Sequence, residues 1–550
     1  MNRRDFLQLA GFGAASVVLD GCSVENLQIK SAGKKDAPDI VLIMADDMGY
    51  SDIGCFGGEI RTPNIDKLAA CGLRFNQFYN TARCCPTRAS LMTGLYPHQT
   101  GMGWMTAADL RHKGYRGDLN KNCVTIAEVL KQAGYSTYMA GKWHLTYDKY
   151  FDGPKHNWPC RRGFDRFYGT LGGGGSYFKP EALTRDNKRI KAANENYYYT
   201  DAVSDNAVKF ITEHNRRREN KPFFLYVAYT CPHWPLHAKP QDIAKYKGKY
   251  MKGWDVVRAD RHKRMIEMGI VDQRWEITPR DEKVKAWEEL DETNKQLWDL
   301  RMAVYAAQID CMDQGIGRII SSLQKTGRLD NTLIIFLSDN GGCAEDISRG
   351  KKDIDLLGSD ESFESYRINW ANASNTPFRL YKHWVHEGGI ATPLIAYWPE
   401  GIESKGQLRP QVGHVMDIMA TCIDAAGASY PRRYKGNEII PLEGISLVPA
   451  FDNRPIEREA IYFEHEGNRA IRAGRWKLVA KGIDGQWELY DMEIDRTELN
   501  NLAQEYPEHV KELAAMWQGW AERANVLPLD GRGWFERIED DPNFKSKEKK

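Results

Sequence analysis

Six short groups in this 550-residue chain carry side chains that hydrolytic chemistry uses. They are Asp46-Asp47, Cys84-Cys85-Pro86-Thr87-Arg88, Lys142-Trp143-His144, His233, Asp339-Asn340 and Lys382. Asp46, Asp47, Asp339 and Asn340 are hard oxygen donors, three of them anionic. Such donors suit Ca2+ or Mg2+ rather than a soft transition metal. One Asp-Asp or Asp-Asn pair after a strand is often an ordinary turn or cap; two pairs at equivalent strand ends favour the metal. Lys142 and His144 are two apart, so in an extended segment both point to one side. His233 lies between Pro232 and Pro235 in a stiff turn. Cys84 precedes a Pro-started helix, which suits a buried core thiol, yet the x-Pro-x-Arg that follows fits a reaction site better. On spacing alone Lys382 is a surface lysine, although His386-Glu387-Gly388-Gly389 just beyond it suggests a tight turn.

Most of these groups follow an apolar run. The runs at 39–45, 135–139, 223–229, 333–337 and 394–398 are strand-like and suit strands buried on both faces of a parallel sheet. Amphipathic helical stretches such as 125–133 and 300–323 separate them. The alternation predicts an α/β fold: a large doubly wound, mostly parallel sheet flanked by helices. Ligands of such sheets bind outside the carboxyl ends of the strands. Asp46, Asp47, Lys142, His144, His233, Asp339 and Asn340 all fall there. Residues 239–300, dense in charge and tryptophan, read as a solvated helical insertion or, more sharply, as a lid that contacts a glycan. Short antiparallel strands at 470–479 and 487–491 and a helix at 505–524 predict a smaller C-terminal α+β domain. The layout expected is a main domain at 37–430, the smaller one at 431–535 and a flexible tail at 536–550.

The pattern Asp46-Asp47, Cys84-x-Pro86-x-Arg88, Lys142-x-His144, His233, Asp339-Asn340 and Lys382 resembles the formylglycine-dependent sulfatases, arylsulfatase-like members of the alkaline phosphatase superfamily. The resemblance covers about residues 38–400 in order. Thr87 stands where serine is commoner and retains a hydroxyl. The resemblance implies that a formylglycine-generating enzyme oxidises Cys84 to an aldehyde whose hydrate is the nucleophile. It implies that Asp46, Asp47, Asp339, Asn340 and residue 84 hold Ca2+, with Mg2+ as the other candidate. Arg88, Lys142 and Lys382 then neutralise sulfate oxygens or hold the diol, His233 protonates the leaving alcohol, and His144 takes the proton whose loss expels sulfate. The substrates implied are sulfated polysaccharides or oligosaccharides, or aryl sulfates. Trp104, His237 and His465 are candidates for the pocket wall. Two other readings use the same residues: a phosphonate or phosphate ester hydrolase, and a decayed glycan-binding lipoprotein.

Composition limits the partners. Net charge is +1, with 42% hydrophobic and 27% charged residues, so no global basic field argues for nucleic acid. No internal apolar run approaches the length of a membrane span. The N-terminus resembles a twin-arginine export signal at Arg3-Arg4, and Leu19-Asp20-Gly21-Cys22 resembles a lipobox with Cys22 as the lipidated residue. Asp20 departs from that box, and a plain signal peptide cut nearby is the alternative. Residues 23–36 read as a polar tether. The expectation is export by the twin-arginine machinery to a bacterial periplasm, with a lipid anchor as the only membrane contact. Of eleven cysteines, setting aside Cys22 and Cys84 leaves an odd number, with no Cys-x-x-Cys zinc spacing.

Overall fold

The computed structural model describes residues 37–217, 221–350 and 353–541. The export and lipobox segment at 1–22, with Cys22, the tether at 23–36 and the chain end from 542 lie outside the described residues.

The strands in chain order begin with β1 (Asp39–Asp46), β2 (Leu73–Tyr79), β3 (Ser136–Gly141), β4 (Arg166–Thr170), β5 (Leu183–Arg185), β6 (Lys188–Arg189), β7 (Phe223–Pro232) and β8 (Thr332–Ser338). They continue with β9 (Ser348–Gly350), β10 (Ser362–Glu364), β11 (Ala391–Tyr397), β12 (Gln407–Arg409), β13 (Gly413–His414), β14 (Arg433–Tyr434) and β15 (Asn437–Glu438). The last four are β16 (Ile461–His465), β17 (Asn468–Ala473), β18 (Trp476–Ala480) and β19 (Glu488–Asp491). The large sheet has the order β12-β2-β11-β8-β1-β7-β3-β4-β5-β6, with β13 beside β2. β1 lies at its centre, parallel to β7 and to β8, and β3 is parallel to β7 and β4. The fold is therefore the mostly parallel, helix-flanked sheet expected from the apolar runs.

β1 reads Asp-Ile-Val-Leu-Ile-Met-Ala-Asp and every residue of it is buried. Alternate side chains serve opposite layers, as the pleat requires. Ile40, Leu42 and Met44 pack with Leu91 and Met92 of the helix Cys84–Thr93, with Ile126 and Leu130, and with Ile418 and Met419. Val41, Ile43 and Ala45 pack on the other face with Met302, Ile309 and Ile316 of the helix Glu292–Lys325. That long helix starts at Asp291, whose side chain accepts the Asn294 N–H.

Three details differ from the sequence reading. The run at 394–398 belongs to β11, which is antiparallel to both β8 and β2. The segment before β11, not the one after it, therefore lies at the carboxyl edge of the parallel strands, and this brings Lys382 to that edge. β2 was hidden because its buried residues are interrupted by Arg74, Asn76 and Gln77. Residues 239–300 are more than a solvated insertion: their outer side chains are exposed, but part of the segment packs into the core. Trp254, buried in the helix Trp254–Glu267, meets Trp287, Trp298 and Trp370 edge-on at 4.8, 5.8 and 5.7 Å. These tryptophans build core instead of offering flat faces to a sugar.

β16 to β19 form a separate antiparallel sheet in sequence order. Ile471, Leu478 and Leu489 on it pack against Leu513, Trp517 and Trp520 of the helix Pro507–Arg523. A buried charge network ties it to the main sheet. Lys477 of β18 lies 2.8 Å from both Glu387 and Glu498. Arg496 and Tyr79 donate to the other oxygen of Glu387 at 2.8 and 3.0 Å. Removing one partner of such a network leaves charge buried without compensation. Lys477→Met is expected to lower the free energy of unfolding by roughly 3–5 kcal/mol, read from the midpoint of denaturant unfolding; an unchanged midpoint would refute the coupling.

Candidate active site

β2 carries the chain to the carboxyl edge, and a short turn leads into the helix Cys84–Thr93, buried along its whole length. Thr87 holds that turn: its hydroxyl accepts the Thr81 N–H at 3.0 Å. Cys84 therefore sits in the first turn of a ten-residue helix, where the helix dipole favours an anion. The hydrogen bond from Cys85 pulls the Cys84 thiol well below its ordinary range; burial opposes this, and Lys142, His144 and Lys382 add to it.

Asp46 ends β1 and Asp47 follows in a left-handed conformation (φ 65°), which aspartate tolerates. Asp339 follows β8, its N–H donating to the Ala45 carbonyl at 3.1 Å. The three carboxylates are matched by three buried cations. Arg88 donates to Asp339 through Nε and Nη2 at 3.1 and 2.8 Å, and its Nη2 is 3.3 Å from Asp46. Its Nη1 reaches the Lys142 carbonyl and the Tyr226 hydroxyl. Lys142 contacts Asp46 at 2.5 Å. Lys382 contacts Asp47 at 2.7 Å, and Asn340 donates to Asp47 at 2.7 Å. Burial alone would raise the Asp46 carboxyl, but Lys142 and Arg88 outweigh it and hold it low. Asp339 goes the other way, raised by burial and by the charge of Asp46.

His233 lies 3.6 Å from Asp47 through Nε2, and its Nδ1 donates to the Trp234 carbonyl at 2.6 Å. That bond leaves Nε2 as the working nitrogen. His144 is grouped with Cys84 and Cys85, one ligand-type atom of each lying within 4.8 Å of the others. Burial lowers both imidazoles, which keeps them neutral. His144 corrects one expectation: it has φ 56°, and the strand ends at Gly141 (φ 121°), so Lys142 and His144 do not share an extended segment. They reach the same site through a turn.

The ten polar residues of the pattern, leaving aside Pro86, thus meet at one edge of the sheet. The other three candidates lie elsewhere in the network. His237 is bonded on both nitrogens, to the Ser362 carbonyl at 2.7 Å and the Tyr177 N–H at 3.4 Å. Trp104 is buried and donates to Glu466. His465 is fully buried beside His383.

Sequence reasoning missed the run Gly172-Gly173-Gly174-Gly175 after β4. A methyl group at Gly173 would come within 2.7 Å of the His144 ring, and one at Gly174 within 2.6 Å of the His233 ring. Only glycine lets this backbone lie against both imidazoles. Four consecutive glycines were the available signal. It also missed Glu345, which joins Arg83 at 2.9 Å and Trp234 at 2.8 Å and has no spacing to single it out.

The oxygen set fits a hard divalent cation. Asp46 Oδ1 and Asn340 Oδ1 are buried without a hydrogen-bond partner, and buried polar atoms are normally satisfied. Asp46 and Asp47 point ligand atoms within 4.8 Å of each other.

Three buried cations, a cluster of oxygen donors and two neutral imidazoles at the carboxyl edge of a mostly parallel sheet suit the hydrolysis of an anionic ester. The model of the sulfatase family matches residues 38–428, and one described as N-sulphoglucosamine sulphohydrolase, C-terminal, matches 378–522. An uncharacterized sulfatase of Schizosaccharomyces pombe is 34% identical over 89% of this chain and 94% of its own. The arylsulfatase of Klebsiella aerogenes is 34% identical over 76% of this chain and 92% of its own. Among solved structures, Ps i-CgsB in complex with k-i-k-neocarrahexaose is similar with a TM-score of 0.66 at 27% identity, over 94% of this chain and 100% of that one. The chain belongs to the sulfatase family of the alkaline phosphatase superfamily and is a sulfuric ester hydrolase.

Gly174→Ala is expected to lower kcat by roughly 10- to 100-fold by displacing His233. Gly174 is exposed, so the unfolding midpoint should stay near wild type. Full activity in this variant would refute the contact.

Proposed function

We propose that the protein removes sulfate from sulfated polysaccharide or oligosaccharide chains, with formylglycine at position 84 and a divalent cation, Ca2+ before Mg2+. The observation that carries this reading is the meeting of Cys84, three buried cations and two neutral imidazoles around one carboxylate-rich pocket. The neocarrahexaose bound to one structural relative supports a glycan substrate, and the arylsulfatase relative supports aryl sulfates as surrogates.

Asp46, Asp47, Asp339 and Asn340, with residue 84, would hold the cation, whose positive charge favours the ionised form of an oxygen nucleophile. Formylglycine would supply, as its hydrate, an oxygen nucleophile and a second hydroxyl on the same carbon. With Nδ1–H held by the Trp234 carbonyl, His233 Nε2 would first take a proton, beside the Asp47 carboxylate 3.6 Å away, and in that protonated form would pass it to the leaving alcohol. His144, grouped with residue 84, would serve as the base that accepts a proton from it. Each ammonium has three donors, and Lys142 and Lys382 each spend theirs on one carboxylate side chain among the described residues. The donors left over stabilise charge that grows on the sulfate oxygens. Arg88 is engaged by Asp339, Asp46, Tyr226 and the Lys142 carbonyl, so its work is to position this group. Arg3-Arg4 and Cys22 support export to the periplasm with a lipid anchor as part of the same reading.

The test is the mass of the Cys84 peptide from protein co-produced with a formylglycine-generating enzyme, followed by turnover of sulfated oligosaccharides beside phosphonates and phosphates. Conversion to the aldehyde with sulfate release is expected. A thiol retained where a control sulfatase converts, or preference for phosphorus esters, would overturn the reading. Cys84→Ser, with one hydroxyl, should lose turnover by roughly 1,000-fold or more. Asp339→Ala should lose its divalent cation by elemental analysis; unchanged metal content in a folded variant would remove Asp339 from the ligand set.

A further inference from the structure

A second group of ligand-type side chains meets where the C-terminal sheet approaches the loop that carries Lys382. β16 and β17 pair His465 with Asn468, and the two residues between them, Glu466 (φ 51°) and Gly467 (φ 82°), make a tight hairpin turn. His383 follows Lys382 with φ 90°, its N–H donating to the Ala82 carbonyl at 2.8 Å. His383 Nδ1 lies 2.7 Å from Glu466 Oε2. One ligand atom from each of His383, His465 and Glu466 falls within 4.8 Å of the others. Trp104 donates to the second oxygen of Glu466 and so orients it.

His465 is the anomaly. It is 0% exposed, and neither ring nitrogen has a hydrogen-bond partner. A buried polar group of this kind calls for an occupant that the protein atoms do not provide.

We propose that His383, His465 and Glu466 form a second metal site, for a divalent transition ion of the zinc class, distinct from the all-oxygen pocket at Asp46, Asp47, Asp339 and Asn340. Two imidazoles and one carboxylate favour such an ion over Ca2+ or Mg2+. The ion enters between His383 Nδ1 and Glu466 in place of their hydrogen bond; the His383 proton then resides on Nε2, which requires the Asn468 amide, whose Nδ2 lies 3.4 Å from Nε2, to move off it. The side chains of His383 and Glu466 are 28% and 17% exposed, which leaves the fourth position open to water. Bound there, the ion pins the hairpin to the loop bearing Lys382.

The experiment uses the full chain with Ca2+ in excess throughout and Zn2+ as the probe. Calorimetric titration and elemental analysis after gel filtration are expected to give about one Zn2+ per chain. The affinity should fall by roughly 100-fold or more in His465→Ala and in His383→Asn. Asparagine tolerates positive φ, so the second variant tests the site even if the first does not fold. Co2+ should give the absorption bands of a nitrogen-ligated tetrahedral ion in wild type and lose them in His383→Asn. No Zn2+ bound by wild type, Zn2+ displaced by excess Ca2+, or unchanged affinity in His383→Asn would each overturn the proposal.

Discussion

The constraint on which the rest of the site depends is the crowding of Asp46, Asp47 and Asp339 at the ends of two adjacent parallel strands. Two like charges about 4 Å apart repel by about 4 kcal/mol even at an effective dielectric constant near 20, and these carboxylates are buried. Cations must therefore come to the edge from elsewhere in the chain. Arg88 comes from the helix after β2, Lys142 from the turn after β3 and Lys382 from the loop before β11. Compensating one acidic cluster thus pins three connections, and in doing so it fixes where Cys84, His144 and His233 can stand.

The same loop before β11 is held from its other side. Glu387 starts the helix that leads into β11, and it receives Lys477, Arg496 and Tyr79. Lys382 and Glu387 lie five positions apart, so an ion pair in the active site and one under the C-terminal sheet share a single short segment. The C-terminal sheet is in this sense part of the active-site frame, although the catalytic pattern draws no residue from it.

Much of this was legible in the sequence, for identifiable reasons. Asp46 and Asp339 end uninterrupted apolar runs, so they announce both a buried strand and the edge where it stops. His233 is marked by its prolines. Lys382 was not legible from spacing, because it precedes an antiparallel strand and the rule about carboxyl ends looks only after strands. Its place came from the resemblance. β2 has buried residues broken by polar ones and presents no run. The tryptophans of 239–300 stand among charges that hide how they pack with Trp370, more than seventy residues further on. Gly173 and Gly174 read as loop because nothing in a glycine run tells what it lies against.

The division between permanent and titrating charge decides what each residue can do. Arg88, Lys142 and Lys382 are held as cations by their carboxylates, which raise all three above their ordinary values although burial opposes it. They cannot exchange protons near neutrality and serve charge alone. His144 and His233, kept neutral by burial, present an unprotonated ring nitrogen near neutrality and are the groups suited to move a proton. A lysine could not replace Arg88 here, because the guanidinium reaches two carboxylates, a carbonyl and a phenol in one plane, and a three-donor ammonium on a flexible stem does not match that geometry. The site therefore works by keeping two kinds of base apart: carboxylates that never give up their cations, and imidazoles that have none to give up.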